Sequence, residues 1–162
     1  MPPLIENSIS IRRQTSDVLP HAFDALSREA SEEGFDFVAK CLEWWLAGES
    51  RFDGPGEGLF AAWAETEKGL ELAGMAGIVR DPYVDDPQTA RLRHVYVSRR
   101  FRGRGIADQL VGMCLKQAEG HFTLARLRAL NDGAARVYER QGFVRTTTVS
   151  ECTHIRELRQ EE

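Results

Sequence analysis

A chain of 162 residues, 42% hydrophobic and 28% charged, has the size and composition of one globular domain around a single core. Its net charge of −4 argues against a general nucleic-acid binder, which needs a basic surface to displace counterions. No apolar run approaches the roughly 18 residues of a membrane span. Met1–Asn7 lacks the basic and apolar regions of a signal peptide, and Cys41, Cys114 and Cys152 are widely spaced and odd in number. The expectation is a cytoplasmic protein with free thiols and no membrane partner.

In chain order, Ser8–Arg12 alternates about Ile9 and Ile11 and predicts a first strand. Thr15, Ser16 or Asp17 is placed to cap a helix reaching about Glu33, with an apolar stripe of Val18, Leu19, Ala22, Phe23 and Leu26 and with Pro20 in its first turn. A second helix is expected from about Phe35 to Ala47, where Phe35, Val38, Leu42 and Trp45 recur at helical spacing. Leu59–Glu65 and Glu71–Val79 read as a hairpin about Lys68-Gly69, and Asp81–Ala90, with two prolines, as an exposed loop. Leu92–Val97 predicts a strand, Gly105–Glu119 a helix, Thr123–Ala129 a strand and Asp132–Gln141 a helix closed by Gly142. Phe143–Val149 and Thr153–Leu158 read as a final strand pair. The order implies a single α/β (α+β) domain over residues 1–162, with antiparallel hairpins at both ends and a strand–helix–strand unit between.

The most informative stretch is the one from Val95 to Ala107, in which a strand enters a loop holding Gly103 and Gly105 and then an amphipathic helix. The first amides of a helix lack intrahelical acceptors, the helix dipole adds partial positive charge there, and glycine lets an anion approach the backbone. Arg99, Arg100, Arg102 and Arg104 gather positive charge beside this turn on an acidic chain, which predicts an anion site. It is not a P-loop, since no Gly-x-x-x-x-Gly-Lys-Ser/Thr string occurs. The dinucleotide fingerprint also fails, because Asp108 stands where its last glycine or alanine belongs. Downstream, Asn131 and Tyr138 are seven residues apart, close to two helical turns, and so project from nearly one face. On their own they read equally as a helix cap and a packed aromatic.

Two motifs together resemble the GNAT superfamily of acyl-CoA N-acyltransferases. Arg100-x-x-Gly103-x-Gly105 matches the family's loop pattern, and Asn131, Ala134, Tyr138, Gly142 and Phe143 match its Asn-x-x-Ala-x-x-x-Tyr-x-x-x-Gly-Phe pattern, so the clear resemblance covers about Leu92–Phe143. It implies a strongly twisted mixed sheet of about six to seven strands flanked by about four helices, with two neighbouring parallel strands splayed apart to admit the cofactor. On that resemblance the loop from Arg100 through Arg102, Gly103, Arg104, Gly105, Ile106 and Ala107 would hold the pyrophosphate of acetyl-CoA. The strand Val95-Tyr96-Val97 would pair with the pantetheine arm, Asn131 and Ala134 would contact that arm, and Tyr138 would sit near the thioester sulfur. The implied activity is transfer of an acetyl group to a primary amine of a small molecule or peptide. No metal is expected, since His21, His94, His121 and His154 lack ligand spacing.

The proton acceptor is left open. His94 is the candidate by chemistry. Strict strand alternation puts it with Leu92 and Tyr96, opposite Arg91, Arg93 and Val95, whereas the resemblance implies a base at positions aligned with Arg91 or Arg93. If Arg91 or Arg93 faces the acceptor it would suit a substrate carboxylate, and an exposed strand face is the alternative. Glu71, Asp85 and Asp86 are further bases to consider, and Glu6, Trp44, Trp45, Tyr83 and Asp85 are possible acceptor contacts. Other readings are a non-catalytic acyl-CoA-binding regulator of the same fold and transfer of a longer acyl group. Dimerisation through the terminal strands is a further possibility.

Overall fold

Alternating apolar residues and helical stripes set the elements. In the computed structural model, which describes residues 8–15 and 19–160, they are β1 (Ile9–Arg13), α1 (Ala22–Glu32), α2 (Phe37–Leu46), β2 (Gly58–Thr66), β3 (Gly69–Arg80), β4 (Thr89–Val97), α3 (Ile106–Ala118), β5 (Leu124–Leu127), α4 (Asp132–Arg140), β6 (Val144–Arg145) and β7 (His154–Glu157). Seven strands form one mixed sheet in the order β1-β2-β3-β4-β5-β7-β6. The pair β4–β5 is parallel and the remaining pairs are antiparallel. The expected sheet, helix count and parallel pair are therefore present. No helix among the described residues is long and apolar enough to cross a membrane.

Each sheet face buries its own core. On one face Ala62, Ile78 and Leu92 pack with Ile106, Leu110 and Cys114 of α3. On the other, Leu59, Met75 and Tyr96 pack with Phe23, Leu26, Val38 and Trp45 of α1 and α2. Burying a side chain of this size stabilises by about 1.5–3 kcal/mol, so each helix is held by its stripe rather than by propensity. Trp45 is 1% exposed, which places it in the core rather than at an acceptor contact. Cys41, Cys114 and Cys152 are buried free thiols, and burial pushes the Cys41 thiol up to about 12.

Several expected boundaries move. The first helix begins at Ala22, with His21 at its N-cap position, so Pro20 precedes the helix. Of the residues expected to start it, Thr15 is not part of the helix, and Ser16, Asp17 and Val18 lie outside the described residues, as does Glu6. The last hairpin is shorter than its apolar pattern, with only Val144 and Arg145 in β6, and β7 rather than β6 lies beside β5.

The strand before the anion loop differs most. It starts at Thr89, three residues ahead of the expected Leu92, and it carries a bulge. Met75 pairs with Tyr96 and Gly77 with Arg93, so two steps on β3 match three on β4. The extra residue falls at His94, whose φ of 61° lies in the left-handed region. Alternation resets there. Leu92 shares the α3-side core with Val95 and Val97, whereas Tyr96 lies in the α1/α2-side core and Arg93 and His94 meet Trp44 of α2. Strict alternation grouped His94 with Leu92; the bulge separates them.

The loop after β3 is not wholly exposed. Asp81 is 1% exposed and lies between two buried arginines, its Oδ2 3.4 Å from Arg91 Nη1 and 2.9 Å from Arg126 Nε. Arg126 Nε is close but not aligned to donate a hydrogen bond. The remaining guanidinium groups donate to backbone carbonyls, Arg91 Nη2 to Glu151 (2.8 Å) and Arg126 Nη2 to Ser150 (3.0 Å). Removing the single carboxylate would strand two buried cations. Asp81→Asn is expected to lower unfolding free energy by about 3–5 kcal/mol, read from urea denaturation.

Candidate functional site

A parallel pair this short cannot stay closed along its length. β4 and β5 are in register only from Thr89↔Leu124 to Arg91↔Arg126, so β4 from Leu92 to Val97 has no strand partner on that side. A cavity of about 670 Å³ opens there. It is bounded by the free stretch of β4, the loop before α3 and the first turns of α3 and α4. Its volume lies within the roughly 300–1,000 Å³ of ligand pockets.

One end presents free helix amides. Gly103 (φ 80°) and Gly105 (φ 75°) both hold left-handed backbone, and a Cβ added at either would meet nothing within 4 Å. The turn therefore needs glycine for its conformation and faces open space. The first hydrogen bond of α3 runs from Gln109 N to Gly105 O (3.1 Å), which leaves the amides of Ile106, Ala107 and Asp108 without helical acceptors at the positive end of the dipole. The Asp108 carboxylate opposes an anion there, but Arg140 of α4 neutralises it (Nη2–Oδ2, 3.0 Å) and holds its ionisation below the usual carboxylate range.

The arginines of the loop are less free than their number in the sequence implies. Arg100 forks onto Glu71 at 2.9 and 3.3 Å and Arg99 sits 3.6 Å from Glu32. Arg102 binds Glu33 at 2.5 and 3.1 Å and the Val97 carbonyl at 2.9 Å. Arg104 lies over the Phe101 ring and has no carboxylate partner among the described residues. Arg100 and Arg104 are outside the cavity lining, whereas Arg102, Gly103, Gly105, Ile106 and Ala107 belong to it. The uncompensated positive potential of this end comes mainly from backbone amides.

A second feature was not visible in the sequence. The end of α1 presents Glu29 and Glu33 to the C-terminal end of β4. The Tyr96 hydroxyl lies 2.7 Å from Glu29 Oε2 and within hydrogen-bond reach of Glu33 Oε1, while Ser98 Oγ donates to Glu29 Oε1 (2.9 Å). The phenol is pushed well above its ordinary range, first by burial and then by the two carboxylates. Tyr96 lines the cavity with a hydroxyl already engaged, and Arg102 covers its ring at 5.6 Å.

The two expected chemical groups lie on opposite sheet faces. Tyr138, 8% exposed, packs edge-on to Phe143 in the α3-side core. Burial, then Cys114, pushes its pKa up to about 12, so its hydroxyl carries a proton at neutral pH. Asn131 and Ala134 share the same wall, and the Asn131 Oδ1 caps α4 by accepting from Ala134 N (2.8 Å), which leaves its amide NH₂ free of the cap. His94, on the α1/α2 side, also lines the cavity and is 5% exposed. Neither of its ring nitrogens has a hydrogen-bond partner. Burial first, and Arg93 second, push its pKa down to about 3, against a smaller opposing effect of the Phe37 backbone. Val95 and Val97 line the cavity between these walls. Glu71 is engaged by Arg100, and Asp85 and Asp86 are exposed on the loop after β3, outside the lining.

Comparisons with known proteins agree with this geometry. A mouse protein named Probable N-acetyltransferase family 8 member 5 is 32% identical over 127 residues, 76% of this chain. The chain spans about half of that relative's length, 55%. A crystal structure from Exiguobacterium sp. 255-15 superposes with a TM-score of 0.76 at 23% identity, covering 92% of this chain and 93% of the other. The GNAT-family N-acetyltransferase YhbS of Escherichia coli, solved in complex with CoA, superposes with a TM-score of 0.65 at 16% identity, covering 97% and 83%. Residues 19–143 match the Acetyltransferase (GNAT) family, and the chain belongs to that family.

Proposed function

We propose that the protein moves an acetyl group from acetyl-CoA directly to a primary amine, with both substrates bound in the cleft between β4 and β5. The observation that carries this reading is the position of the cleft: it joins the unpaired amides of α3 to a buried, protonated Tyr138 and to the partnerless backbone of β4. The residues present fit acetyl-CoA. The amides of Ile106, Ala107 and Asp108 suit a pyrophosphate, the open edge of Val95–Val97 suits an amide-bearing arm, and the Asn131 NH₂ is a spare donor for its carbonyls. When bound, acetyl-CoA supplies an activated acetyl thioester.

Each chain group then has a task. The Val95 amide is the candidate to stabilise charge on the carbonyl oxygen. Tyr138 gives a proton to the leaving sulfur as the new N–C bond forms and the C–S bond breaks, and it is restored by the proton released from the amine nitrogen through solvent. His94 is neutral across the physiological range, so its role is to accept a hydrogen bond and orient the uncharged amine rather than to hold its proton. In support of that role, the bulge leaves His94 beside Arg93 on the α1/α2 face of the strand. No enzyme nucleophile is required, which agrees with the burial of all three thiols.

The direct test is release of CoA thiol from acetyl-CoA against a panel of amines. Binding without thiol release from any amine would make the protein an acyl-CoA-binding module instead. Tyr138→Phe is expected to lower kcat on the order of 10²-fold while the calorimetric Kd for acetyl-CoA stays nearly constant. Asn131→Asp keeps the α4 cap but loses the NH₂ donor. Its melting temperature should hold or rise while acetyl-CoA affinity falls by about tenfold. Because His94 titrates near 3, the rate in kcat/KM should climb with pH toward the pKa of the amine substrate, with no separate inflection near the ordinary histidine value.

A further inference from the structure

The acceptor side of the cleft carries a ladder of arginines with too few carboxylates. Arg91 of β4 and Arg126 of β5 are register partners. Two residues further on stand Arg93, still on β4, and Arg128, just past the end of β5. Arg93 lies over Trp44 of α2, while Ala125, Leu127 and Ala129 pack on the α3 side, which puts Arg126 and Arg128 on the opposite face. The inner rung is bridged by Asp81 alone and keeps one net positive charge in a buried setting. The outer rung has no ion-pair partner among the described residues, although both of its arginines line the cleft.

The other charges of the cleft are balanced. Of the remaining cations in the lining, Arg102 is matched by Glu33 and Arg140 by Asp108. The surplus therefore sits on one side only, away from the amides that open α3. A guanidinium pair straddling the point where two strands part is suited to a planar anion with two oxygens, which each guanidinium can meet in a fork. Phe35, Phe37 and Tyr83 form the apolar part of the same side.

We propose that the amine acceptor is a small molecule that also bears a carboxylate, and that Arg93 and Arg128 hold that carboxylate. This rests on the acetyl-transfer reading above and narrows its acceptor to amino-acid-like compounds. The carboxylate anchors the acceptor on the outer rung and leaves the amine free to turn toward His94. The buried surplus charge of the Arg91–Asp81–Arg126 group adds to the attraction without touching the ligand.

The test uses purified protein, acetyl-CoA and a panel of α-, β- and γ-amino acids, aromatic and aliphatic, each paired with its own amide. Thiol release gives kcat/KM for every pair, and calorimetry gives the Kd for acetyl-CoA. The expected result is a preference of about tenfold or more for acids over their amides. In Arg93→Gln and Arg128→Gln that ratio should collapse toward one through the KM of the acid, with the acetyl-CoA Kd and the melting temperature unmoved. Amides serving as well as acids would overturn the carboxylate site. So would a complete failure to acetylate acids by a protein that binds acetyl-CoA and acetylates other amines. Either result would leave acetyl transfer standing. Failure to bind acetyl-CoA at all would sink the acetyl-transfer reading, and this one with it.

Discussion

Everything about the cleft follows from how little of β4 is paired to β5. Three register pairs join the strands, and beyond Arg91 and Arg126 they diverge. A continuous parallel ladder would bury the backbone of Leu92–Val97 and leave no cavity. The bulge at His94 contributes from the other edge. It inserts a residue against β3, and such a bulge sharpens the local twist and bends its strand. A histidine in left-handed backbone costs on the order of 1 kcal/mol or more, and it persists because both sheet faces are pinned by their helices. The same irregularity keeps Val95 and Val97 on the α3 side with Leu92 while leaving His94 beside Arg93 on the opposite face.

Charge in the cleft is organised by pairing rather than by number. Four arginines crowd the loop before α3, yet three of them carry a glutamate each. Those ion pairs are exposed or half-buried and contribute little to stability singly, about 1 kcal/mol or less. Their effect is geometric, since Glu71 ties the loop to β3 and Glu32 and Glu33 tie it to α1. The loop is thereby held open while its amides stay free. Across the sheet the balance reverses: Arg91 and Arg126 share Asp81, and Arg93 and Arg128 have no ion-pair partner among the described residues. One end of the cleft is thus positive through backbone dipoles and the other through side chains.

The sequence made the glycine turn before α3 legible because its signals are local. Gly103 and Gly105 sit where the backbone must be left-handed, and the stripe from Ile106 fixes the helix that follows. Asn131 and Tyr138 were legible for the same reason, since helical spacing alone puts them on one face. What escaped depends on distant partners. Nothing local marks the bulge, because the residue that adopts it is histidine rather than glycine. Asp81 looked like part of an exposed proline-bearing loop because its two guanidinium partners come from strands ten and more residues away. A count of arginines could not reveal that Arg100 and Arg102 were already engaged. The short β6 has a similar cause: the β-prone run Thr146–Val149 follows Arg145, but pairing with β7 stops at Arg145↔His154.

Glu29 and Glu33 were equally silent in the sequence, four residues apart on α1 with partners some seventy residues onward. Their arrangement bears on how the two halves of the cleft communicate. A phenol has one proton, so the Tyr96 hydroxyl can donate to only one of the two carboxylates at a time. Two carboxylates near one phenol are tolerable here because Arg102 neutralises Glu33, while Ser98 Oγ and the Arg99 amide donate to Glu29. Arg102 in turn caps the Val97 carbonyl, the last one on the open edge of β4. A single chain of contacts therefore runs from α1 through Tyr96 and Arg102 to the open edge of β4. Displacing Arg102 would leave Glu33 without its cation and release the Val97 carbonyl together, and the end of α1 and the α1–α2 turn, which carries Phe35, would feel both changes.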